Sequence, residues 1–436
     1  MSKGQVDIDS REGEYGRTPV MLAARGGHRI LFEFLIEKGC NMSLLDNKDN
    51  NILYMACYGG QIAIVKRVLS LDIVDINSRG HYGRTCVMVA AYRGKMDLLK
   101  YLVKQGGDMS LLDKTCDSIL HIACRGGHVE MVKYIISQDI VDINSKGRDG
   151  RTVGMVAAQF GYRNIFDLCA CAGCNLLAAD AVGNNILHVA ILGGQRGMVK
   201  HVLAERLVNI NSRGMNAKTP IMVAAIEGQR EVFDLVMSKG GDASLVDKNG
   251  DSILHWVCRG GQVEMVKYVI SLNFTDINSR GQFGKTPMMV AAAQGHRRVF
   301  DLIMSKGGDA SLVDKNDDNI LHWVCRGGHV EMVRYIISIN VVDINSRGYY
   351  RRTPMMVAAA KGHRQVLDLV MSKGGDASLV DAYGDNILHL ASWQGQAMMM
   401  KHILSKTIVD VKAKDKYGNT AAMIAKKTHI QMSLYR

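Results

Sequence analysis

Proline is scarce in this sequence. Four prolines occur in 436 residues, and each follows the threonine that opens a repeated pattern, at Pro19, Pro220, Pro287 and Pro354. Proline fits the first turn of a helix, because the N–H that it lacks has no intrahelical partner there. We therefore interpret all four as helix starts and not as parts of a site. Aromatic residues are also few, at 6 % of the chain.

Long apolar runs are absent as well. No segment approaches the roughly 20 apolar residues that a membrane-spanning helix needs. Residues 1–5 do not begin a secretory signal, because they lead directly into the repeated pattern. We therefore expect no membrane contact and a cytoplasmic location, with the nucleus as the alternative.

Cysteine is present but lacks the spacing of a disulfide framework. Three of the ten cysteines stand at one apolar helix position: Cys124, Cys258 and Cys325. Scattered core cysteines favour a reducing compartment. The one cluster is Cys169, Cys171 and Cys174, and it lacks the fourth ligand of a tetrahedral metal site. We expect no metal and no cofactor.

What the sequence does contain is a pattern that recurs with one fixed period. One kind of unit opens on threonine, always at the same interval, at Thr18, Thr85, Thr152, Thr219, Thr286, Thr353 and Thr420. The other kind opens midway, at the same interval, at Asn51, Ser118, Asn185, Ser252, Asn319 and Asn386. Two successive units thus make up one period. A fixed repeat of this length predicts a solenoid whose units pack only on their neighbours.

The unit that opens at Ser252 shows what each unit specifies. Serine is a good N-cap, and apolar residues from Leu254 to Cys258 recur with helical spacing. A glycine pair ends this first helix. A second apolar stripe, from Val263 to Ile270, predicts a second helix, and a polar turn then leads to the next unit.

Thr-Pro-x-x-x-Ala-Ala with Gly-His a few residues on, as from Thr286 to His296, resembles the ankyrin repeat. The histidine of that family occurs in the other kind of unit, at His121, His188, His255, His322 and His389. The resemblance covers nearly the whole chain. It implies an all-α, ankyrin-like solenoid of about thirteen helix–turn–helix repeats with β-turn fingers, in a curved, elongated array. It also implies that the first helices line a concave face and that these histidines bond the backbone of the adjacent loop.

The pattern predicts three parts of the chain. Residues 1–17 copy the finger of a unit, so we expect them to belong to a truncated repeat, either in a fragment of a longer array or in a first unit whose flank is exposed. Residues 18–419 form twelve repeats in six 67-residue pairs, and residues 420–436 are predicted to be a C-terminal capping half-repeat. The pair at 152–218 is the most divergent and has Gly197 inside a helix. We predict that the array is weakest there.

The net charge of +12 follows the same period. The turns that lead into the threonine units, here called basic fingers, are residues 79–84, 146–151, 213–218, 280–285 and 347–352. The turns that lead into the other units, here called acidic fingers, include residues 46–49, 113–117, 247–251, 314–318 and 381–385. Two interpretations are open: ion pairing between neighbouring fingers with solubility as the benefit, or a partner of matching charge.

On each first helix, the fifth and eighth residues are predicted to lie opposite the apolar face and beside each other. In the asparagine and serine units these positions hold all three tryptophans. The residues that we predict to bind a partner are Tyr58, Arg125, Trp256, Arg259, Trp323, Arg326 and Trp393, with Tyr92 of a threonine unit and Arg79, Arg213, Arg280 and Arg347 of the basic fingers. Tryptophan beside arginine predicts cation–π stacking, and both are common in binding hot spots. The alternative is that tryptophan covers the neighbouring unit, because the fifth position is partly buried between units.

No set of residues predicts an enzyme. His-x-x-Cys pairs such as His255 and Cys258 recur in several units, whereas an active site is needed once. We expect a non-catalytic, monomeric scaffold that binds another protein through the concave groove and the charged fingers. One alternative is an acidic or nucleic-acid partner held by the basic fingers, although the acidic fingers interrupt them and speak against nucleic acid. The other alternative is a structural spacer in a longer protein.

Overall fold

The computed structural model describes residues 7–434, with side chains as far as residue 427. The ends of the predicted first finger and of the predicted cap, residues 1–6 and 435–436, lie outside the described residues. The chain divides after Met215 into two compact units, here called the N-terminal and C-terminal halves. Residues 7–434 contain helices and two isolated bridges but no strand. The all-α architecture predicted from the sequence is confirmed.

The N-terminal half is a series of helix pairs. The first helices are α1 (Pro19–Gly26), α3 (Ile52–Gly59), α5 (Cys86–Tyr92), α7 (Ile119–Gly126), α9 (Val153–Phe160) and α11 (Ile186–Leu192). The second helices are α2 (Arg29–Glu37), α4 (Ile62–Ser70), α6 (Met96–Lys104), α8 (Val129–Ser137), α10 (Arg163–Cys171) and α12 (Arg196–Ala204). Each first helix packs on its own second helix, and successive first helices of this half pack on each other.

The C-terminal half repeats this arrangement. The first helices are α13 (Pro220–Ile226), α15 (Ile253–Gly260), α17 (Pro287–Ala293), α19 (Ile320–Gly327), α21 (Pro354–Lys361) and α23 (Ile387–Trp393). The second helices are α14 (Arg230–Ser238), α16 (Val263–Ser271), α18 (Arg297–Ser305), α20 (Val330–Ser338), α22 (Arg364–Ser372) and α24 (Ala397–Lys406). A last helix, α25 (Ala421–Leu434), packs on α23.

The helices begin and end where the sequence predicts. All four prolines lie in the first turn of a first helix. At the start of α19, the side-chain oxygen of Asn319 accepts the N–H groups of Leu321 and His322 at 3.0 and 3.2 Å. At the end of α15, Gly261 adopts φ +71°, the left-handed conformation that favours glycine.

A buried histidine connects each of several asparagine or serine units to the next unit. His255 Nδ1 lies 2.8 Å from Ser252 Oγ, and its Nε2 lies 2.9 Å from the carbonyl oxygen of Lys285. The same bond to the next unit recurs in the pairs His121–Arg151, His322–Arg352 and His389–Asn419, at 2.9 to 3.3 Å. The implied bond to the adjacent loop is therefore confirmed. Burial lowers the pKa of His121, His255 and His322, so these imidazoles stay neutral near pH 7.

Neighbouring fingers are connected in two alternating ways. From a basic finger to the next acidic finger the contact is a backbone joint, such as Lys315 N–H donating to Phe283 O at 2.9 Å. From an acidic finger to the next basic finger it is a side-chain joint, such as Gln282 N–H donating to Asp251 Oδ1 at 2.7 Å. The two kinds of unit therefore differ in the chemistry of their joints as well as in their helix starts.

The core contains the predicted small residues but also some residues that were expected on the surface. Cys124, Cys258 and Cys325 are fully buried. The expectation that the fifth residue of a first helix faces outward is wrong for nine of the twelve repeats, where it is buried: Met55, Ile122, Val189 and Leu390 in the asparagine and serine units, and Val89, Val156, Val223, Val290 and Val357 in the threonine units. Successive first helices pack on each other and cover this position, whereas the longer side chains of Trp256 and Trp323 stay partly exposed.

One substitution should stabilise the divergent pair of units at residues 152–218. Gly197 lies in α12, and a Cβ added there would meet no atom within 4 Å. We expect Gly197→Ala to raise the free energy of unfolding by about 0.5–1 kcal/mol, because alanine loses less backbone entropy on folding. Urea denaturation measures it. Gly193→Ala is the control and should destabilise, since its Cβ would lie 1.9 Å from Gln159 O.

Removing one connecting histidine should weaken the C-terminal half. We expect His322→Ala to lower the free energy of unfolding by about 1–3 kcal/mol at pH 7.5, because it removes the buried imidazole that bonds both the Asn319 side chain and the carbonyl oxygen of Arg352, which then keeps only the Gly348 N–H as a donor among the described residues. The pKa of His322 is lowered, so acidification below about 6.5 costs the wild type stability that the variant cannot lose. The difference in free energy of unfolding between wild type and His322→Ala should therefore be smaller at pH 5. His329→Ala is the control and should change the free energy of unfolding little, because His329 is exposed. A loss in the His322→Ala variant that is equal at pH 7.5 and pH 5 would contradict this account.

Candidate binding surface on the first helices

Two tryptophans of the C-terminal half each stack with two cations. The Arg259 guanidinium lies 4.4 Å from the centroid of the Trp256 ring, and the Lys218 ammonium lies 3.7 Å from it. At Trp323, the corresponding distances from Arg326 and Lys285 are 4.8 and 4.5 Å. The predicted tryptophan–arginine stacking is confirmed. The lysines were not predicted as members of these groups, which we call the Trp256 stack and the Trp323 stack.

The arginines of these stacks are held by buried carboxylates. Arg259 Nη2 lies 3.1 Å from Asp251 Oδ2, and Arg326 Nη2 lies 3.1 Å from Asp318 Oδ2. The carboxylate side chains are 1 and 2 % exposed. Each pair joins a first helix to the acidic finger before it, so the guanidinium is fixed in place before any partner arrives.

The lysines stack on tryptophan because they replace arginines that elsewhere bind an acidic finger. In the three other basic fingers and in the truncated first finger the corresponding residue pairs with an aspartate, in Arg84–Asp113, Arg151–Asp180, Arg352–Asp381 and Arg17–Asp46, at 3.0 to 3.8 Å. Ion pairing between neighbouring fingers, one of the two sequence interpretations, is therefore observed. In the Trp323 stack, the indole N–H donates instead to Asp314 Oδ2 at 3.1 Å. In the Trp256 stack, the indole nitrogen and Asp247 Oδ2 have no hydrogen-bond partner among the described residues.

The electrostatics of the stacks follow from burial. Burial lowers the pKa of Lys218 and of Lys285, and Arg259 lowers the pKa of Lys285 further. Burial also raises the pKa of the Asp314 carboxyl. Each stack is therefore a partly dehydrated cluster of cations around an aromatic ring, which offers contact area and charge but no nucleophile.

The N-terminal half has a related surface built on tyrosine. The ring of Tyr58 lies 4.9 Å from the guanidiniums of both Arg25 and Arg93. Tyr92 lies 5.6 Å from the guanidinium of Arg84. Arg125 pairs with buried Asp117 at 2.8 Å, and its guanidinium lies 5.8 Å from the ring of Phe160. The predicted residues Tyr58, Tyr92 and Arg125 thus each belong to an aromatic–cation contact.

The basic-finger arginines are already engaged. Nη1 of Arg79 donates to Gly83 O at 3.0 Å and to Leu112 O of the next finger at 2.5 Å. Arg280 makes the same two contacts with Gly284 O and Val313 O, and Arg347 makes them with Arg351 O and Val380 O. Arg213 is exposed. These arginines connect fingers as well as presenting charge.

Trp393 differs from the other two tryptophans. It occupies the eighth position of its first helix, where Arg259 and Arg326 stand in the preceding copies, and it is 45 % exposed. It lines a pocket of about 440 Å³ that also includes Tyr383, Tyr417 and Asp385. The structure therefore brings Trp256 together with Arg259 and Trp323 with Arg326, and it leaves Trp393 in a separate setting.

Metal ligands and membrane helices are not features of the described chain. Cys169 and Cys174 are buried while Cys171 is exposed, and residues 7–434 contain no group of three histidine, cysteine or acidic side chains placed to hold a metal ion. Within the same residues, every helix is too short or too polar to cross a bilayer.

The family model described as "Ankyrin repeats (3 copies)" matches most of the chain, at residues 2–80, 87–180, 155–242, 221–314 and 295–381. Its overlapping matches extend through both halves.

Relatives share the repeats at low identity. The human transient receptor potential cation channel subfamily A member 1 is 23 % identical over 83 % of this chain and 40 % of its own length. The ankyrin repeat domain-containing protein SAT10 of Stachybotrys chartarum is 22 % identical over 96 % of this chain and 22 % of its own length. The ankyrin repeat and KH domain-containing protein mask-1 of Caenorhabditis elegans is 27 % identical over 58 % of this chain and 10 % of its own length.

The chain thus spans at most two fifths of the length of these relatives. The family model and the helix pairs agree over both halves. The chain belongs to the ankyrin repeat family.

Proposed function

We propose that this chain is a non-catalytic scaffold that binds another protein through the face formed by its first helices and through its fingers. Ankyrin repeats generally mediate protein–protein interactions, which supports a protein as the partner. The proposal places the chain in the cytoplasm or the nucleus, as a monomer.

The observation that carries this proposal is the pair of tryptophan stacks. Trp256 and Trp323 are partly exposed, and each is held by two cations. Because the arginines are themselves fixed by Asp251 and Asp318, the rings lose little side-chain freedom on binding. Tryptophan and arginine in fixed positions are the residue types that dominate binding energy at protein interfaces.

The contacts of the fingers favour a protein over a nucleic acid. Arginines of the basic fingers donate to carbonyls of neighbouring turns, as at Arg79 and Arg280, or pair with aspartate, as at Arg352. Fewer of their donors are left for phosphate groups. The remaining charge suits a partner that offers both acidic and basic side chains, and electrostatic complementarity of this kind contributes mainly specificity and association rate.

If the stacks are pre-organised, Lys285 and Trp323 must be energetically coupled. In a double-mutant cycle of Lys285→Met and Trp323→Leu, we expect a coupling energy of about 0.5–1 kcal/mol in the free energy of unfolding, from the cation–π contact. Exposed Lys306 provides the control, because Lys306→Met and Trp323→Leu should be additive. Additivity in both cycles would contradict pre-organisation.

The direct test is affinity capture from a cell lysate with wild type beside a Trp256→Leu/Trp323→Leu variant. This variant keeps the arginine–aspartate pairs, so circular dichroism and the thermal midpoint should show that it is folded. We expect wild type to retain a protein that the variant loses. A matched variant of the second helices, Tyr268→Leu/Tyr335→Leu, should retain it, because those tyrosines contact Asp234 and Asp301 away from the first helices.

The remaining outcomes decide between the alternatives. Identical captures by wild type and both variants would contradict binding through the first helices and favour the fingers or a spacer role. Capture of nucleic acid, with an affinity that falls steeply as salt rises, would support the acidic-partner alternative.

A further inference from the structure

The residue before each asparagine or serine N-cap is matched to the residue eight positions later. Aspartate there pairs with arginine, in Asp117–Arg125, Asp251–Arg259 and Asp318–Arg326, at 2.8 to 3.1 Å. Where the eighth residue is not basic, the earlier residue is a neutral asparagine, in Asn50 with Tyr58 and Asn184 with Leu192. In these five units, the residue before the N-cap is therefore never a carboxylate without an arginine partner.

The sixth unit breaks this rule. It has Asp385, but eight residues later comes Trp393, so the guanidinium partner is absent. Asp385 is 4 % exposed, and its Oδ1 has no hydrogen-bond partner in the part of the chain that the structure describes.

The carboxyl group of Asp385 also lacks the backbone N–H donor that the corresponding carboxyl of the preceding copy has, and the reason is steric. In the copy before it, Asp318 Oδ1 accepts the N–H of Tyr349 at 2.9 Å across a side-chain joint. That joint needs glycine at residue 348, because a Cβ there would lie 2.1 Å from Asp318 Oδ1. The last finger has Asp415 at the corresponding position, so it forms a backbone joint instead, with Lys416 N–H donating to Tyr383 O at 2.8 Å.

The unpartnered carboxyl lies in the pocket of about 440 Å³ described above. Trp393, Tyr383 and Tyr417 supply aromatic walls, and Asp385 and Asp415 supply carboxylates. Among the described residues that line the pocket the one cation is Arg352, and it is engaged with Asp381 at 3.0 Å. We call this site the Asp385 pocket.

Charges around the pocket add to the cost of burying the Asp385 carboxyl without a cationic partner. Burial, Asp381 and Asp415 raise the pKa of Asp385 to about 6, while His389 and Arg352 act in the opposite direction. A carboxyl so placed gains from any cation that enters beside it, and aromatic rings bind the same kind of group through their faces.

We propose that the Asp385 pocket binds an arginine side chain of the partner protein, whose guanidinium takes the place beside Asp385 that Arg326 takes beside Asp318. This inference rests on the proposed function, since it names one chemical feature of the protein that the first helices bind. Arginine fits better than lysine because its planar guanidinium can stack on Trp393 and donate to a carboxylate at the same time.

The first experiment uses small probes, so it does not depend on identifying the partner. N-acetyl-arginine amide is titrated into the full chain, and the indole N–H signal of Trp393, assigned with Trp393→Phe, is followed by two-dimensional NMR. N-acetyl-citrulline amide, which has nearly the same shape and no charge, is the matched control. We expect a saturable shift with arginine, at least about tenfold weaker binding of citrulline, and intermediate binding of the lysine analogue.

Two variants separate recognition from a structural role. Asp385→Asn should weaken arginine binding at least about tenfold and raise the thermal midpoint at pH 7.5, with a clearly smaller rise at pH 5. The sign follows from the raised pKa, because the wild type loses stability as the pH rises from 3.8, the ordinary aspartate pKa, through about 6, and the loss is complete above that. Trp393→Arg should supply an internal guanidinium and raise the midpoint.

The matched control is Asp318→Asn in the preceding unit, whose carboxylate has both partners. It should lower the thermal midpoint at pH 7.5 and leave arginine binding unchanged. Equal shifts with arginine and citrulline, no saturable shift, or wild-type binding by Asp385→Asn would each overturn the proposal. If arginine fails to bind while partner capture still requires Trp256 and Trp323, this inference is wrong and the scaffold function stands.

Discussion

The structure depends on a buried imidazole that belongs to two units at once. In His255, one ring nitrogen completes the cap of its own first helix, and the other holds a backbone carbonyl of the following finger. The ring is buried, so both nitrogens must be satisfied or the fold pays for a dehydrated polar group. This requirement fixes where the next unit starts relative to the present one, and it makes the neutral form of the side chain part of the architecture.

The alternation of unit types follows from how the remaining polar groups are satisfied. A side-chain joint needs an aspartate or asparagine before the cap and a glycine opposite it, as with Asp251 and Gly281. A backbone joint needs neither, and it leaves the threonine unit free to begin with proline. Units of one kind alone would lack one of the two complementary surfaces, so the pair of units, and not the single unit, is the true period of the packing.

Much of the fold and of the candidate site could be predicted from the sequence, because the same pattern of residues recurs in every copy and each copy supports the same assignment. The helix pairs, the role of proline, the buried cysteines and the stacking of Trp256 and Trp323 on arginine follow from the pattern, and the histidine bond follows from the resemblance to the ankyrin repeat. The positions of Lys218 and Lys285 did not, since the residues that meet across a joint are separated by about one unit and no short motif connects them. The outward placement assigned to the fifth helix position was wrong for Met55 because packing by the next helix cannot be deduced from one helix alone. The isolation of Asp385 had a signal that could have been found, namely the pairing of aspartate with arginine eight residues on.

The two kinds of joint also restrict how such a chain can change length in evolution. Inserting or deleting one unit would place two surfaces of the same kind against each other, with a Cβ facing a carboxylate where glycine is required. Inserting or deleting a whole pair of units preserves every contact. Recombination between copies in steps of two units therefore keeps both kinds of joint intact, and the close similarity of residues 219–285 to residues 286–352 fits such a step. The last finger, with Asp415 in place of the glycine, is a point at which a further step would have to restore that glycine first.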